Sequence, residues 1–312
     1  MSRALESVIC AMIFWFTRSF GSLPRKWGWG VGAFLGRVSY RLIRRSRTIA
    51  IENLQTAYPA KSEGQICAIA RSVFEGLGKL LYELCWSTCL RNDELARHVK
   101  VQGMVNIRRA YEKGRGVLVL TAHFGNWELL PVVGKLMGYP FSIVYRPLDA
   151  RPLEKFIVRT RTRFGGTLIP KKRSFRKVLK SLERKELVGL LMDQNVTRRE
   201  GVFAPFFGRP ACTNKGLALL ALKTGAPVVP IFLLREEKGF TGLIFPEIPL
   251  VRTGDKTRDL EINTHAYNQV IESLVRRYPE QWFWVHRRWN TKPLRHAICK
   301  RLGQPGANGV HP

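Results

Sequence analysis

The sequence predicts an α/β fold, a mostly parallel central sheet flanked by helices, preceded by an N-terminal membrane-associated helical segment. Three observations predict it. Short apolar runs such as Val117 to Leu120 and Leu187 to Met192 alternate with segments of helical period. The long stretches 63–90 and 258–277 carry apolar residues at the i, i+3, i+4, i+7 spacing of amphipathic helices. An unbroken apolar run, Val8 to Phe16, stands near the start of the chain. Strands that alternate with helices form parallel sheets covered on both faces.

The run Val8 to Phe16 is far short of the roughly 20 residues that cross a bilayer. Extended from Ala4 to Phe20, it takes in Glu6 and Arg18 near its ends, where a long arginine can snorkel. After Pro24, a second apolar and Gly-rich stretch covers Trp27 to Val38, with Gly28, Gly30, Gly32 and Gly36 suited to close packing in or at a membrane. Arg37, Arg41, Arg44, Arg45 and Arg47 follow, a cluster that favours the cytoplasmic side, while Trp15, Trp27 and Trp29 suit the headgroup layer. No small-x-small cleavage site follows cleanly, which argues against a removed signal peptide. Residues 1–47 therefore read as an anchor or interfacial segment; spanning and lying in the interface both remain open, as does an ordinary core helix. Residues 48–295 form the main domain, and the Gly- and Pro-rich 296–312 a flexible tail.

In chain order, the spacing predicts a helix over 63–90 with Ile66, Ile69, Val73, Phe74, Leu77, Leu80, Leu81 and Leu84 on one side. Val117 to Leu120 reads as a buried strand that ends at Thr121 to His123. A helix follows over about 126–137, with Pro131 early, where its missing N–H costs least. Phe141 to Tyr145 is a strand, 151–164 a cationic helix, Leu187 to Met192 a strand and 213–224 a helix. Val228 to Leu234 and Gly242 to Ile248 are further strands, and the helix over 258–277 closes the fold.

Composition narrows the function. The chain has 312 residues, and 52 Lys+Arg against 23 Asp+Glu give a net charge of +29. Such a surplus fits a polyanionic partner, either nucleic acid or an anionic membrane surface and its phosphorylated lipids. No zinc finger, RNP-like aromatic motif or helix-turn-helix signature supports nucleic acid, so none is expected as a partner. The six cysteines, Cys10, Cys67, Cys85, Cys89, Cys212 and Cys299, form no C-x-x-C pair and no zinc spacing, and they read as small hydrophobes.

The chemistry concentrates at His123-Phe-Gly-Asn-Trp-Glu128. The strand before it places His123 at the carboxyl edge of the sheet, where α/β sites collect. Gly125 permits a tight turn, and Glu128 then falls in the first helical turn, favoured by the helix dipole. From there it could reach one imidazole nitrogen and raise the basicity of the other, as a base acting on a hydroxyl requires. A serine-hydrolase elbow, an H-E-x-x-H zinc motif and a phosphate loop are all missing from the sequence.

The segment resembles the H-x4-[DE] motif of glycerolipid-type acyltransferases. The fuller pattern resembles the lipid A biosynthesis late acyltransferases, which transfer lauroyl or myristoyl chains to lipid A precursors. Four blocks carry this: His123 to Glu128; Tyr145-Arg-Pro147; Asp193-Gln194 with Gly201 to Gly208 (GVFAPFFG); and Pro279 to Trp289 (PEQWFWVHRRW). The resemblance covers about residues 5–292. It implies that His123, oriented by Glu128, deprotonates an acceptor hydroxyl, which attacks the thioester of an acyl carrier protein, or of coenzyme A, without an acyl-enzyme. It implies no metal or organic cofactor, and a place on the cytoplasmic face of a bacterial inner membrane. The acceptor is a lipid A precursor, or another lipid such as mannosylated phosphatidylinositol.

Within that resemblance the substrate contacts are Arg146, Arg159 and Arg163, with Arg161 nearby; for each, a solvated helix face is the alternative. Asp193 and Asn126 join them, Asp193 otherwise capping the loop after its strand. Lys171, Lys172, Arg173, Arg176, Lys177 and Lys180 could meet an acidic carrier protein or the membrane. Trp282, Trp284 and Trp289 are core residues or line an acyl tunnel, and His286 is structural.

Overall fold

The computed structural model describes residues 3–294, with side chains from Glu6 onward. The expected tail over 296–312, and Cys299 with it, lies outside the described residues. Three helices open the chain: α1 (Arg3–Gly21), α2 (Arg25–Leu42) and α3 (Arg44–Ala57). The long α4 (Glu63–Cys89) leads to α5 (Asn92–Arg97), β1 (Val99–Gln102) and α6 (Met104–Tyr111). Strands and helices then alternate through β2 (Val117–Thr121), α7 (Leu130–Met137), β3 (Phe141–Tyr145), α8 (Arg151–Thr162), β4 (Thr167–Pro170), α9 (Ser174–Glu183) and β5 (Leu187–Leu191). The hairpin β6 (Gly201–Phe206) and β7 (Arg209–Asn214) precedes α10 (Gly216–Thr224), β8 (Val228–Glu236), β9 (Gly239–Ile244) and α11 (Lys256–Arg277).

The main sheet has the order β1-β9-β8-β2-β5-β3-β4. Every neighbouring pair is parallel except β8 and β9. β2 lies between β8 and β5 with all its residues buried, which is why it reads as a continuous apolar run rather than an alternating one. Its side chains divide by parity. Leu118 and Leu120 join a core with residues of α3, α4, α9, α10 and α11. Val117 and Val119 join a second core with residues of α5, α6 and α7.

Local chemistry sets the helix ends. Ser62 and Gln65 form a reciprocal capping box that starts α4. Asp255 caps α11 through the N–H groups of Thr257 and Arg258. Pro131 lies in the first turn of α7, and Gly138, at φ 76°, ends it.

The Gly-rich pattern of α2 packs on α4. Gly28, Gly32 and Gly36 are buried, and a Cβ on Gly32 would stand 2.7 Å from the Gly78 carbonyl oxygen. At Gly32 and Gly36 the two helices meet backbone to backbone, while at Gly28 the Tyr82 ring fills the space. The opposite faces carry exposed Val8, Met12, Trp15 and Phe16 on α1 and exposed Trp27, Val31, Phe34 and Leu35 on α2. Among the described residues, no helix is long and apolar enough to cross a membrane.

Several elements differ from the sequence expectation. The helix expected over 213–224 begins at Gly216, because Arg209–Asn214 pairs with β6 across a turn at Phe207 and Gly208, both at positive φ. The strand expected at 242–248 is β9, which ends at Ile244. β1, β4, β6, β7, α3, α5, α6 and α9 have no counterpart among the expected elements.

Candidate active site

β2 ends at Thr121 and delivers His123 to the carboxyl edge of the sheet. The chain then turns sharply at Gly125, φ 57°, where a Cβ would collide with the Leu233 carbonyl of β8, so only glycine fits. Gly125 N–H donates to the Gln281 carbonyl at 2.8 Å, Asn126 N–H to that of Leu233 at 3.2 Å, and Phe283 N–H to that of His123 at 3.1 Å. The turn is thereby held between β8 and the segment after α11.

The imidazole is held by Asp193, which follows the neighbouring strand β5. Asp193 Oδ1 lies 2.9 Å from His123 Nδ1, and Oδ2 accepts from His123 N–H at 3.0 Å and Trp282 Nε1–H at 2.8 Å. The Asp193 side chain is 2% exposed and that of His123 21%. A buried carboxylate needs such donors to stay charged, and it can only accept. Nδ1 therefore carries the proton, and Nε2 presents a lone pair, 3.4 Å from the Gln194 amide nitrogen.

Burial alone would push the His123 pKa down. The Asp193 carboxylate and its hydrogen bond, helped by the charge of Glu128, outweigh this and hold it above 6.5. Burial would likewise raise the Asp193 pKa, but the charge of His123 and the three donors hold it below 3.8.

Glu128 is the main correction to the sequence reading. It lies in the expected first turn, a 3-10 segment over Trp127–Leu129. Its carboxylate does not reach the imidazole. It accepts a two-pronged bond from Arg161 of α8, Nε at 2.9 Å and Nη2 at 2.7 Å, and a third from Trp127 Nε1–H at 3.0 Å. The steadying partner of His123 is thus Asp193, because β5 adjoins β2 and points its end at the ring, while α8 occupies both Glu128 oxygens.

The other candidate residues divide. Asn126 is fully buried; it donates to Glu83 Oε2 at 2.7 Å and accepts from Leu129 N–H at 3.3 Å. It shapes the turn, and its polar atoms are already bonded inside the protein. Arg163 likewise bonds the end of α4, with donors on the Ser87 and Leu90 carbonyls, both at 2.7 Å, and on Asn92 Oδ1 at 2.8 Å. Arg146 is exposed, with Asp149 at 3.9 Å. Arg159 faces a cleft between α1 and α8, lined also by Ile13, Phe14, Thr17, Arg18 and Phe156. Among the described residues neither Arg18 nor Arg159 has an ion-pair partner.

Trp282, Trp284 and Trp289 are buried, and Trp282 additionally holds Asp193. His286 is structural as expected: its Nε2 accepts from Asn195 N–H at 2.8 Å, and burial lowers its pKa. Sequence reasoning missed Glu83, whose carboxylate takes Arg235 at 2.7 and 2.9 Å as well as Asn126. The available signal was an acid beside Leu84 on a predicted amphipathic helix.

An apolar cavity of about 70 Å³ lies next to this constellation. Trp127 and Arg161 line it together with Thr121 and Leu191 at the carboxyl edge. From there it follows the sheet beneath α7, past Val119, Gly189 and Ile143, to Met137, Phe141 and Leu187. The Trp127 ring also packs edge-on against His123, with centroids 5.3 Å apart.

A proton-accepting imidazole, a guanidinium and a chain-shaped apolar cavity at one sheet edge suit acyl transfer. Sequence comparison agrees. The chain is 28% identical over 270 residues to the lipid A biosynthesis palmitoleoyltransferase of Escherichia coli K12, covering 85% of each chain. It is 29% identical over 267 residues to the lipid A biosynthesis lauroyltransferase of the same organism, covering 84% of this chain and 85% of that one. A phosphatidylinositol mannoside acyltransferase of Mycolicibacterium smegmatis is 26% identical over 199 residues, 62% of this chain and 64% of that one. The family profile described as bacterial lipid A biosynthesis acyltransferase matches residues 2–291, nearly the whole chain, and the protein belongs to that family.

Proposed function

We propose that the protein transfers a fatty acyl chain from the thioester of an acyl carrier protein to a hydroxyl of a lipid A precursor, with His123 as general base. One observation carries this reading: His123 Nδ1 is committed to Asp193, leaving Nε2 as an acceptor, and Trp127, packed edge-on against the His123 ring, lines an apolar cavity. The acceptor hydroxyl approaches Nε2 in place of Gln194. As Nε2 takes its proton, the oxygen attacks the thioester carbonyl carbon. The tetrahedral intermediate collapses, the C–S bond breaks, and the imidazolium returns the proton to the leaving sulfur. The products are an ester and a free thiol, and no acyl-enzyme forms. Such a base is worth about 10²–10⁴ in rate.

Glu128 enters this scheme through Arg161. The pair sets a guanidinium at the cavity mouth, where negative charge develops on the thioester oxygen. The acyl chain occupies the cavity. The acceptor's phosphates suit Arg18 and Arg159 in the α1–α8 cleft, whose Ile13, Phe14 and Phe156 suit lipid chains. Lys171, Lys172, Arg173, Arg176, Lys177 and Lys180 are exposed at the start of α9 and along it, and suit an acidic carrier protein.

The outer apolar faces of α1 and α2, followed by their arginine cluster, suit an interfacial attachment to the cytoplasmic face of the inner membrane. Purified full-length protein, carrier-protein and coenzyme A thioesters and a panel of lipid acceptors, read by product mass spectrometry, test this reading. Transfer to a lipid A precursor is expected, with kcat reduced about 10²–10⁴ in His123→Ala. Equal turnover by wild type and His123→Ala would defeat the mechanism.

A further inference from the structure

Resting on the acyl-chain reading of the cavity, we infer that Gly189 sets the length of acyl chain the enzyme transfers. β5 is an interior strand, paired with β2 on one side and β3 on the other. Glycine weakens an interior strand and marks a place where something else approaches the backbone. Here that something is the cavity. Gly189 lines it and is partly exposed, although both neighbouring strands cover its edges. A Cβ built on it meets no atom closer than the Ser142 carbonyl oxygen at 3.8 Å. Its neighbours in register, Val119 and Ile143, also line the cavity, so Gly189 is the missing side chain in a row across the sheet.

The level of this row fixes the expected effect. On the cavity side, β5 presents Leu191 at the mouth, Gly189 next and Leu187 at the far end. At about 3.3 Å per strand residue, the path from Leu191 to Leu187 is about 13 Å, and Gly189 is halfway along it. A zigzag hydrocarbon with bonds near 1.5 Å advances about 1.3 Å per carbon, so the full path holds about ten carbons and the part above Gly189 about five. A side chain at this position stands in the path and removes room for about five carbons. Valine at this position suits a strand, since β-branched residues favour it.

The test is competition between carrier-protein thioesters of graded chain length, with the ester products quantified by mass spectrometry. Gly189→Val and Gly189→Leu are expected to move the preferred donor about five carbons shorter, read as the ratio of short to long ester products. Leu190→Met, on the same strand but packed into the opposite core, leaves the profile unchanged. Gly189→Ala, for which space exists, decides the point if the larger variants do not fold: one methyl should lower the ratio of longest to shortest product about fourfold. Wild-type transfer with the same profile in all folded Gly189 variants overturns the inference alone. If wild type transfers no acyl chain at all, the acyl reading of the site falls with it.

Discussion

The two faces of the central sheet use the same strands for opposite ends. On one face, Leu118, Leu120, Phe232 and Leu234 join one buried core with residues of α10 and α11. On the other, Val119, Gly189 and Ile143 look into the space beneath α7. Strand residues alternate sides, so one run of apolar sequence builds a solid layer and the wall of a cavity together. The packed face supplies stability; the hollow one leaves a cavity at the expense of packing.

The largest expected effects test the hollow side and its mouth. His123→Ala should cost about 10²–10⁴ in kcat per folded molecule, and it also removes a partner from the buried Asp193 carboxylate. Asp193→Asn should cost a similar factor and also move the acid limb of the kcat profile. A base must be neutral, so activity rises as pH passes the His123 value, which lies above 6.5. Without the carboxylate, the burial that opposes protonation wins, and the limb moves to lower pH. An unmoved limb would show that the limb does not report this pair.

The linkage to stability has the opposite sign. The raised His123 value contributes stability below pH 6.5, lost as pH rises through the folded value; the lowered Asp193 value contributes stability above pH 3.8, lost as pH falls through its own. The pair therefore supports the fold best between those limits and works best above them.

Next in size, Phe232→Ala on the solid face should destabilise by about 3–5 kcal/mol in denaturant titration and leave kcat per folded molecule unchanged. A kcat loss at full folding would break the division of labour between faces. Trp282→Phe removes a donor from Asp193 and should cost about 1–3 kcal/mol in stability, with a fall in kcat of about tenfold. Smallest of all, Lys113→Ala breaks the exposed pair with Glu247 at 2.6 Å and should change stability by less than about 1 kcal/mol. A larger loss would mean that surface charge, and not packing, holds α6 beside the hollow face.

The central strands and long helices were legible because their signals are local and long. β2, β3, β5 and β8 stand as apolar runs, and α4 and α11 carry many turns of one period. β1 and β4 are short edge strands, too brief for a period to show. In the site, the sequence placed His123 and Glu128 correctly along the chain but not their partners. His123 and Asp193 are 70 residues apart and meet only because β5 lies beside β2. Glu128 turns to Arg161, which reaches both its oxygens from α8, a tertiary contact with no local trace. Gly189 was invisible as a site residue for the same reason: a glycine in an apolar run gains meaning only when the empty volume next to it is seen.

The backbone contact between α2 and α4 has a practical corollary. α4 carries Glu83, whose carboxylate grips Asn126 three residues beyond His123. Trimming the leading helices to obtain a more tractable fragment would therefore uncover α4 and loosen the scaffold behind the imidazole. Apolar exposure is better reduced by polar replacement of outward-facing Trp15 and Trp27, which leaves the seam between α2 and α4 untouched.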